Sequence, residues 1–337
     1  MTSPPTSWQP DVLGPGWSAL TLELPPDRFG PAVATLVRRD PTGPASRRAV
    51  LHVHGFADYF FQRHVGEAFA ADGWDFYALD LRDHGRSTRR GREPEFTTDI
   101  AIYAHELDRA VDVLRADHEV VVVHAHSAGG LVVPLWLNER PGLVDALVLN
   151  SPWLDLNGGR FARGPLTAVL DVVGRVAPRL KVSKMAPYYG YALHRSRGGE
   201  WDYDLAWKPF RAFPVRAGWV RSIRAGHRRV ARGLRIEAPV LVVTSAASGP
   251  GDHAHDALLT TDVILDVRDM VARAPRLGQD VTLVQIPGGA HDLSLSPEPA
   301  RSRYLATVLG WLDERVPGGG PPNSIPGAAA AGGRSDA

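Results

Sequence analysis

The chain has 337 residues, 44% hydrophobic, 8% aromatic and 22% charged, enough apolar material for one large core, which excludes a mainly disordered or fibrous protein. Lys+Arg 38 against Asp+Glu 37 leaves a formal charge of +1, so no global field draws the protein to nucleic acid or to an anionic membrane. The absence of cysteine removes disulfides, thiolate nucleophiles and cysteine-ligated metals, so any covalent catalysis must use oxygen or nitrogen.

Residues 1–16 are rich in Pro, Ser and Thr and lack the basic and apolar regions of a secretory signal; a flexible N-terminus and a cytoplasmic location are expected. No window approaches the ~18 consecutive apolar residues that a membrane-spanning helix needs. Ser18 to Leu24 and Ala32 to Arg38 alternate apolar and polar residues around a Pro-rich turn, which predicts an antiparallel hairpin at a sheet edge. Short β-branched runs follow at 49–53, 75–80, 120–124, 146–150, 240–244 and 281–286, with helical patterns at 102–115 and 301–315. Near-continuous apolar strands alternating with helices predict an α/β fold with a mostly parallel sheet.

After the strand at 49–53 comes His54-Gly55-Phe56-Ala57-Asp58-Tyr59, where a Gly just past a strand frees the Phe56 N–H to face a cleft. His54 is expected to brace that loop and His52 to be a satisfied core histidine, a His-x-His metal pair being the weaker reading. The strand at 120–124 runs into His126-Ser127-Ala128-Gly129-Gly130 and the apolar helical run Leu131 to Leu137. A sharp strand-to-helix turn at a serine flanked by small residues presents that hydroxyl at the sheet edge, which makes Ser127 the candidate nucleophile and Ala128 N–H, with Phe56 N–H, the candidate oxyanion donors.

Regular alternation breaks between 151 and 235, a segment expected to be a helical cap inserted into a core of 17–150 and 236–316. Its aromatics suit either an apolar inner face or its own small core; Trp153, Tyr188, Trp201 and Trp207 are the candidate substrate contacts. In the cap, Leu166, Val169, Leu170, Val173 and Val176 form one helical stripe expected to be buried. From Arg221 to Arg235 the arginines, Arg229 excepted, gather opposite Val220, Ile223, Val230 and Leu234, which reads as a solvated basic helix or, less favoured, a weak contact with an anionic lipid surface.

Strand 281–286 ends in Pro287-Gly288-Gly289-Ala290-His291, and a lone histidine on a Gly-rich loop there is the candidate general base. Its orienting acid should follow strand 240–244, where Asp252, Asp256, Asp262 and Asp266 compete, with Asp155 a rival elsewhere. Asp262, just before a predicted helix, is preferred; the polar stretch around Asp252 and Asp256 reads as a solvated loop, with metal binding a minor alternative. Residues 317–337 are mostly Gly, Pro and Ala and read as a disordered tail.

Ser127, Asp262 and His291 in that order, the His54-Gly55 loop and the Asp80-Leu81-Arg82-Asp83-His84-Gly85-Arg86-Ser87 stretch together resemble the α/β-hydrolase superfamily. The similarity is greatest to the monoacylglycerol lipase and lysophospholipase group, also called serine aminopeptidase-like, over about residues 45–315. Departures are Ala125 for the first Gly of the elbow and Asp83 where that loop commonly has Gly. The resemblance implies a carboxylesterase or lipase-like enzyme working through an acyl-serine, with no cofactor and no metal. A lipophilic small-molecule ester is the expected partner and nucleic acid is not. Competing readings are an aminopeptidase using Glu200, Asp202 or Asp204 to hold a substrate ammonium, an acyltransferase on the same residues, and a catalytically idle binding module.

Overall fold

The computed structural model describes residues 7–43, 46–156 and 165–316, the side chains of 165–168 and 170 excepted. Its strands are β1 (Gln9–Pro10), β2 (Trp17–Asp27), β3 (Gly30–Arg39), β4 (Arg48–Val53), β5 (Asp75–Asp80), β6 (Val120–His126), β7 (Ala146–Asn150), β8 (Lys181–Ser183), β9 (Val215–Arg216), β10 (Val240–Ser245) and β11 (Val281–Ile286). All but β8 and β9 join one sheet in the order β1-β2-β3-β5-β4-β6-β7-β10-β11. From β5 onward every pairing is parallel, whereas β1, β2 and β3 pair antiparallel and β3 meets β5 antiparallel. The predicted hairpin and mostly parallel sheet are therefore present.

Alternate residues of the central strands supply two separate cores. Leu51, Val53, Val121, Val123, Leu147 and Leu149 pack with α2 (Ala104–Arg115) and α3 (Gly129–Glu139), while Val50, Val122, Val148 and Val243 pack with α1 (Arg63–Ala71) and α8 (Ala300–Arg315). A strand sandwiched this way needs apolar side chains at both parities, which is why these runs are continuous rather than alternating. Each fully buried Val or Leu contributes about 1.5–3 kcal/mol.

One expectation changes near the N-terminus. Residues 9–10 are not loose but form β1, and the buried Asp11 is held by Arg86 at 2.6 and 2.9 Å. Asp83 takes the left-handed conformation (φ 62°) that favours glycine; Asp tolerates it better than most residues, and Arg92 grips its carboxylate at 2.6 and 2.9 Å.

Between the neighbouring strands β7 and β10 the chain makes α4 (Pro165–Val176), α5 (Tyr188–Leu193), α6 (Ala217–Arg232) and the small β8/β9 ribbon. The expected buried stripe of α4 is overturned in part: Val169 and Val176 are exposed, at 59% and 77%. Gly174, on the opposite side, is what packs, since a Cβ there would lie 2.7 Å from Arg221 and 2.8 Å from the Ala217 carbonyl. Helix α6 buries Ile223 and Val230 as expected, and Leu234 just beyond it, but Val220 is only half-buried, while Trp219 and one of the arginines, Arg224, are buried too. Helix α7 (Val267–Arg273) follows β10.

Candidate active site

Ser127 occupies the turn between β6 and α3 with φ 51°, a left-handed conformation that a non-glycine residue adopts only when its surroundings impose it. The imposition is visible at Gly129: a Cβ there would stand 2.4 Å from the His54 carbonyl oxygen. The first turn of α3 thus presses on the chain leaving β4, and only glycine fits. Ala125 is fully enclosed in the core, which accommodates its one extra methyl.

His291 lies on the loop after β11, with Nε2 3.0 Å from Ser127 Oγ and Nδ1 2.9 Å from Asp262 Oδ2. Asp262 is fully buried, and its Oδ1 accepts from the Ile264 and Leu265 N–H groups at 2.9 and 2.8 Å, leaving Oδ2 to the imidazole. The competing acids are engaged elsewhere. Asp252 is exposed beside His253, Asp266 caps α7 and holds Arg268, and Asp155 lies between Arg224 and Arg273 at 3.3 and 2.7 Å.

The loop after β4 closes over the serine. A Cβ on Gly55 would be 2.9 Å from Ser127 Cβ, so the Gly55–Phe56 peptide lies against the hydroxyl-bearing carbon. Among the described residues neither Phe56 N–H nor Ala128 N–H has a hydrogen-bond partner. His54 braces the loop as expected: Nδ1 meets the Gly55 carbonyl at 2.7 Å and Nε2 accepts from Leu81 N–H at 3.1 Å. His52 departs from expectation, because Nδ1 pairs with His124 Nδ1 at 2.7 Å while the buried Nε2 has no partner among the described residues.

A polar group beside the serine was not anticipated. His126 donates through Nδ1 to the Asn150 carbonyl at 3.1 Å, and burial holds its pKa below the usual value. Asp58 receives the Lys208 ammonium at 2.7 Å across 150 residues of chain. Asp292 accepts from Asn150, Ser294 and Gln62; burial would raise its pKa, but His126 and these donors outweigh it and hold the carboxyl below the normal range.

A cavity of about 530 Å³ opens on Ser127 and His291. Asp58, His126, Lys208 and Asp292 make one polar part of its wall; Trp153, Leu156, Met185, Phe210, Trp219 and Val220 contribute to the apolar remainder. Of the four predicted contacts, Trp153 alone lines it. Tyr188 is replaced by its neighbour Tyr189, whose ring meets His291 edge-on at 6.2 Å. Trp201 instead donates to the Leu295 carbonyl at 3.1 Å and stacks on His64, and Trp207 packs edge-on against Tyr59. Both fasten the cap segment to the core.

The serine aminopeptidase S33 family matches residues 44–298. A monoacylglycerol lipase of Mycolicibacterium smegmatis is 32% identical over 276 residues, covering 79% of this chain and 88% of that protein. Among solved structures, the Paleococcus ferrophilus monoacylglycerol lipase superposes with TM-score 0.61 at 22% identity, over 81% of this chain and 96% of that one. A soluble variant of Saccharomyces cerevisiae monoglyceride lipase bound to a substrate analogue gives 0.60 at 14%, over 94% and 96%. The family match and these relatives agree with the mostly parallel sheet: the chain belongs to the serine aminopeptidase S33 family and is an ester-hydrolysing enzyme of the α/β-hydrolase superfamily.

Proposed function

We propose that the enzyme cleaves lipophilic carboxylic esters through an acyl-serine, with Ser127 as nucleophile, His291 as general base and Asp262 as its orienter. His291 Nε2 takes the hydroxyl proton as Ser127 Oγ bonds to the carbonyl carbon, then returns it to the departing alkoxide as the ester C–O bond breaks. Water, deprotonated by the same imidazole, releases the acid. Asp262 holds the tautomer and stabilises the imidazolium. The Phe56 and Ala128 N–H groups receive the negative charge on the carbonyl oxygen, each such donor contributing about 3 kcal/mol to the barrier reduction.

The observation that carries this reading is the 3.0 and 2.9 Å chain from Ser127 through His291 to Asp262 at the wall of a cavity with one apolar and one polar side. The apolar side suits an acyl chain; the side bearing Asp58, Lys208 and His126 suits a small hydroxylated alcohol, so monoacylglycerol-like esters are the proposed substrates. Glu200, Asp202 and Asp204, which an aminopeptidase was expected to use, are not among the cavity's lining residues, which favours the ester reading. A fluorophosphonate probe should label wild-type protein and not Ser127→Ala. Monoacylglycerols and p-nitrophenyl esters of graded chain length should then be hydrolysed, with a preference for medium or long acyl chains. Absence of labelling by the probe would overturn the proposal.

A further inference from the structure

The loop between β4 and α1 carries the Phe56 N–H and Asp58, and its far end is held by a buried ion cluster that takes no part in the proton transfers. Asp80, at the end of β5, accepts from the Phe60 N–H through Oδ1 at 2.9 Å. Its Oδ2 accepts from the Arg86 N–H at 3.0 Å and from Arg86 Nη1 at 2.8 Å. Nη1 also donates to the Phe60 carbonyl at 3.0 Å, so one carboxylate and one guanidinium fix both backbone polar groups of Phe60. The same guanidinium lies over the rings of Tyr59 and Trp207, 5.5 and 5.8 Å from their centroids.

What aims the guanidinium comes from the N-terminal end of the chain. Arg86 Nε and Nη2 donate to Asp11 Oδ2 and Oδ1 at 2.6 and 2.9 Å, a two-pronged pair that fixes orientation as well as distance. Asp11 is pinned in turn: Oδ1 also accepts from the Leu13 N–H at 2.9 Å, and its own N–H donates to the Trp17 carbonyl at 3.0 Å. The side chains of Asp11, Asp80 and Arg86 are 2%, 0% and 6% exposed, so water screens their attraction little. Among the described residues before β2, Asp11 alone is buried, and both residues of β1 are exposed. The contribution of this end of the chain to the interior is therefore the Asp11 carboxylate, delivered to the arginine that grips the active-site loop.

We propose that Asp11 is a positioning residue for ester hydrolysis: it holds Arg86 in the orientation that fixes Phe60, and so keeps the loop aimed with its Phe56 N–H toward the developing oxyanion. The proposal rests on the oxyanion role given to that N–H under the proposed function. An aim that matters to the transition state more than to bound ester shows in kcat rather than in KM. The test is steady-state kinetics on a soluble p-nitrophenyl ester, with rates expressed per active site titrated by the fluorophosphonate probe and melting temperatures measured alongside. Asp11→Ala should lower kcat about 10-fold with KM within ~2-fold of wild type. Asp11→Asn, which keeps one of the two acceptor oxygens, should lose less, about 3-fold, and carries the test should Asp11→Ala not fold. Both variants should melt earlier, since a buried guanidinium loses a partner. A purely structural Asp11 would lower the melting temperature and leave kcat per titrated site unchanged, and that result overturns the proposal. So does a rise in KM at constant kcat, which would move the effect to substrate binding. A wild type that the probe leaves unlabelled would overturn the acyl-serine reading and this proposal with it, whereas a labelled wild type matched in kcat by both variants overturns this proposal alone.

Discussion

Glu95 Oε2 accepts a hydrogen bond from the Ala57 N–H at 3.0 Å, with the carboxyl enclosed behind the loop that carries Phe56. Both residues hold left-handed backbone conformations, φ 58° at Glu95 and φ 54° at Ala57, so the contact joins two strained points of the chain. Burial pushes the Glu95 pKa well above its ordinary value, favouring the uncharged carboxyl.

A neutral amide can therefore replace it. Glu95→Gln should keep kcat within a few-fold of wild type. Glu95→Ala should lower kcat by ~10- to 100-fold with KM little changed, because the neighbouring Phe56 N–H loses its aim at the oxyanion rather than at bound ester. Steady-state kinetics on one soluble ester separates the two; equal losses in both variants would refute the positioning role.

Ser127→Ala and His291→Ala should each reduce turnover by ~10⁴-fold or more while the melting temperature moves little, since neither side chain carries core packing. Asp262→Asn should cost ~10³- to 10⁴-fold by presenting a donor to Nδ1. Asp155→Asn tests the alternative acid. It should leave turnover largely intact and lower stability, because it weakens the ion pairs with Arg224 and Arg273. Turnover lost in Asp155→Asn but not in Asp262→Asn would reverse the assignment.

Gly129→Ala should yield little folded protein. The added methyl would meet the His54 carbonyl at 2.4 Å, where neither backbone can retreat without opening the elbow. Ala125→Gly, by contrast, should fold and turn over, at a stability cost of about 1 kcal/mol. Thermal melts of the purified variants give the comparison.

Acid should unfold the protein through its histidines. Burial lowers His84 and His227 to about 3 and His124 to about 4, and it lowers His52, His54 and His126 as well. In the unfolded chain each titrates near 6.5, so the unfolded state binds more protons once the pH falls below that value. Stability is then fully present above about pH 6.5 and declines toward pH 4, by up to ~1.4 kcal/mol per pH unit for each proton taken up. Denaturant melts across that window should show it, with the decline beginning well above the carboxylate range.

The meeting of Ser127 and His291, the proposed nucleophile and base, was legible because their placement depends on local chain geometry. A strand of valines, a serine between small residues and an apolar helix leave one conformation for Ser127, and a histidine on a glycine loop after a strand has no core to enter. The acid was harder. Asp252 and Asp262 follow the same strand, and what separates them is a backbone bridge from Ala247 and Gly249 to Asp262, made only when the loop folds back on itself. In the cap the limit is rotation. Tyr188 and Tyr189 are adjacent and chemically identical, but one helical step turns a side chain by about 100°, so the second faces His291 and the first does not.

Composition, periodicity and local motifs therefore determined the layered α/β architecture and singled out Ser127 and His291, because a two-sided apolar strand and a strained turn are written in neighbouring residues. Tertiary structure alone decided which acid meets His291, which aromatics wall the cavity, how Lys208 reaches Asp58 and which face of α4 stays uncovered. Those outcomes depend on a loop folding back on itself, on contacts between segments distant in sequence, or on the rotation of helices whose packing partner no local pattern names, and such contacts exist only once the chain has closed on itself.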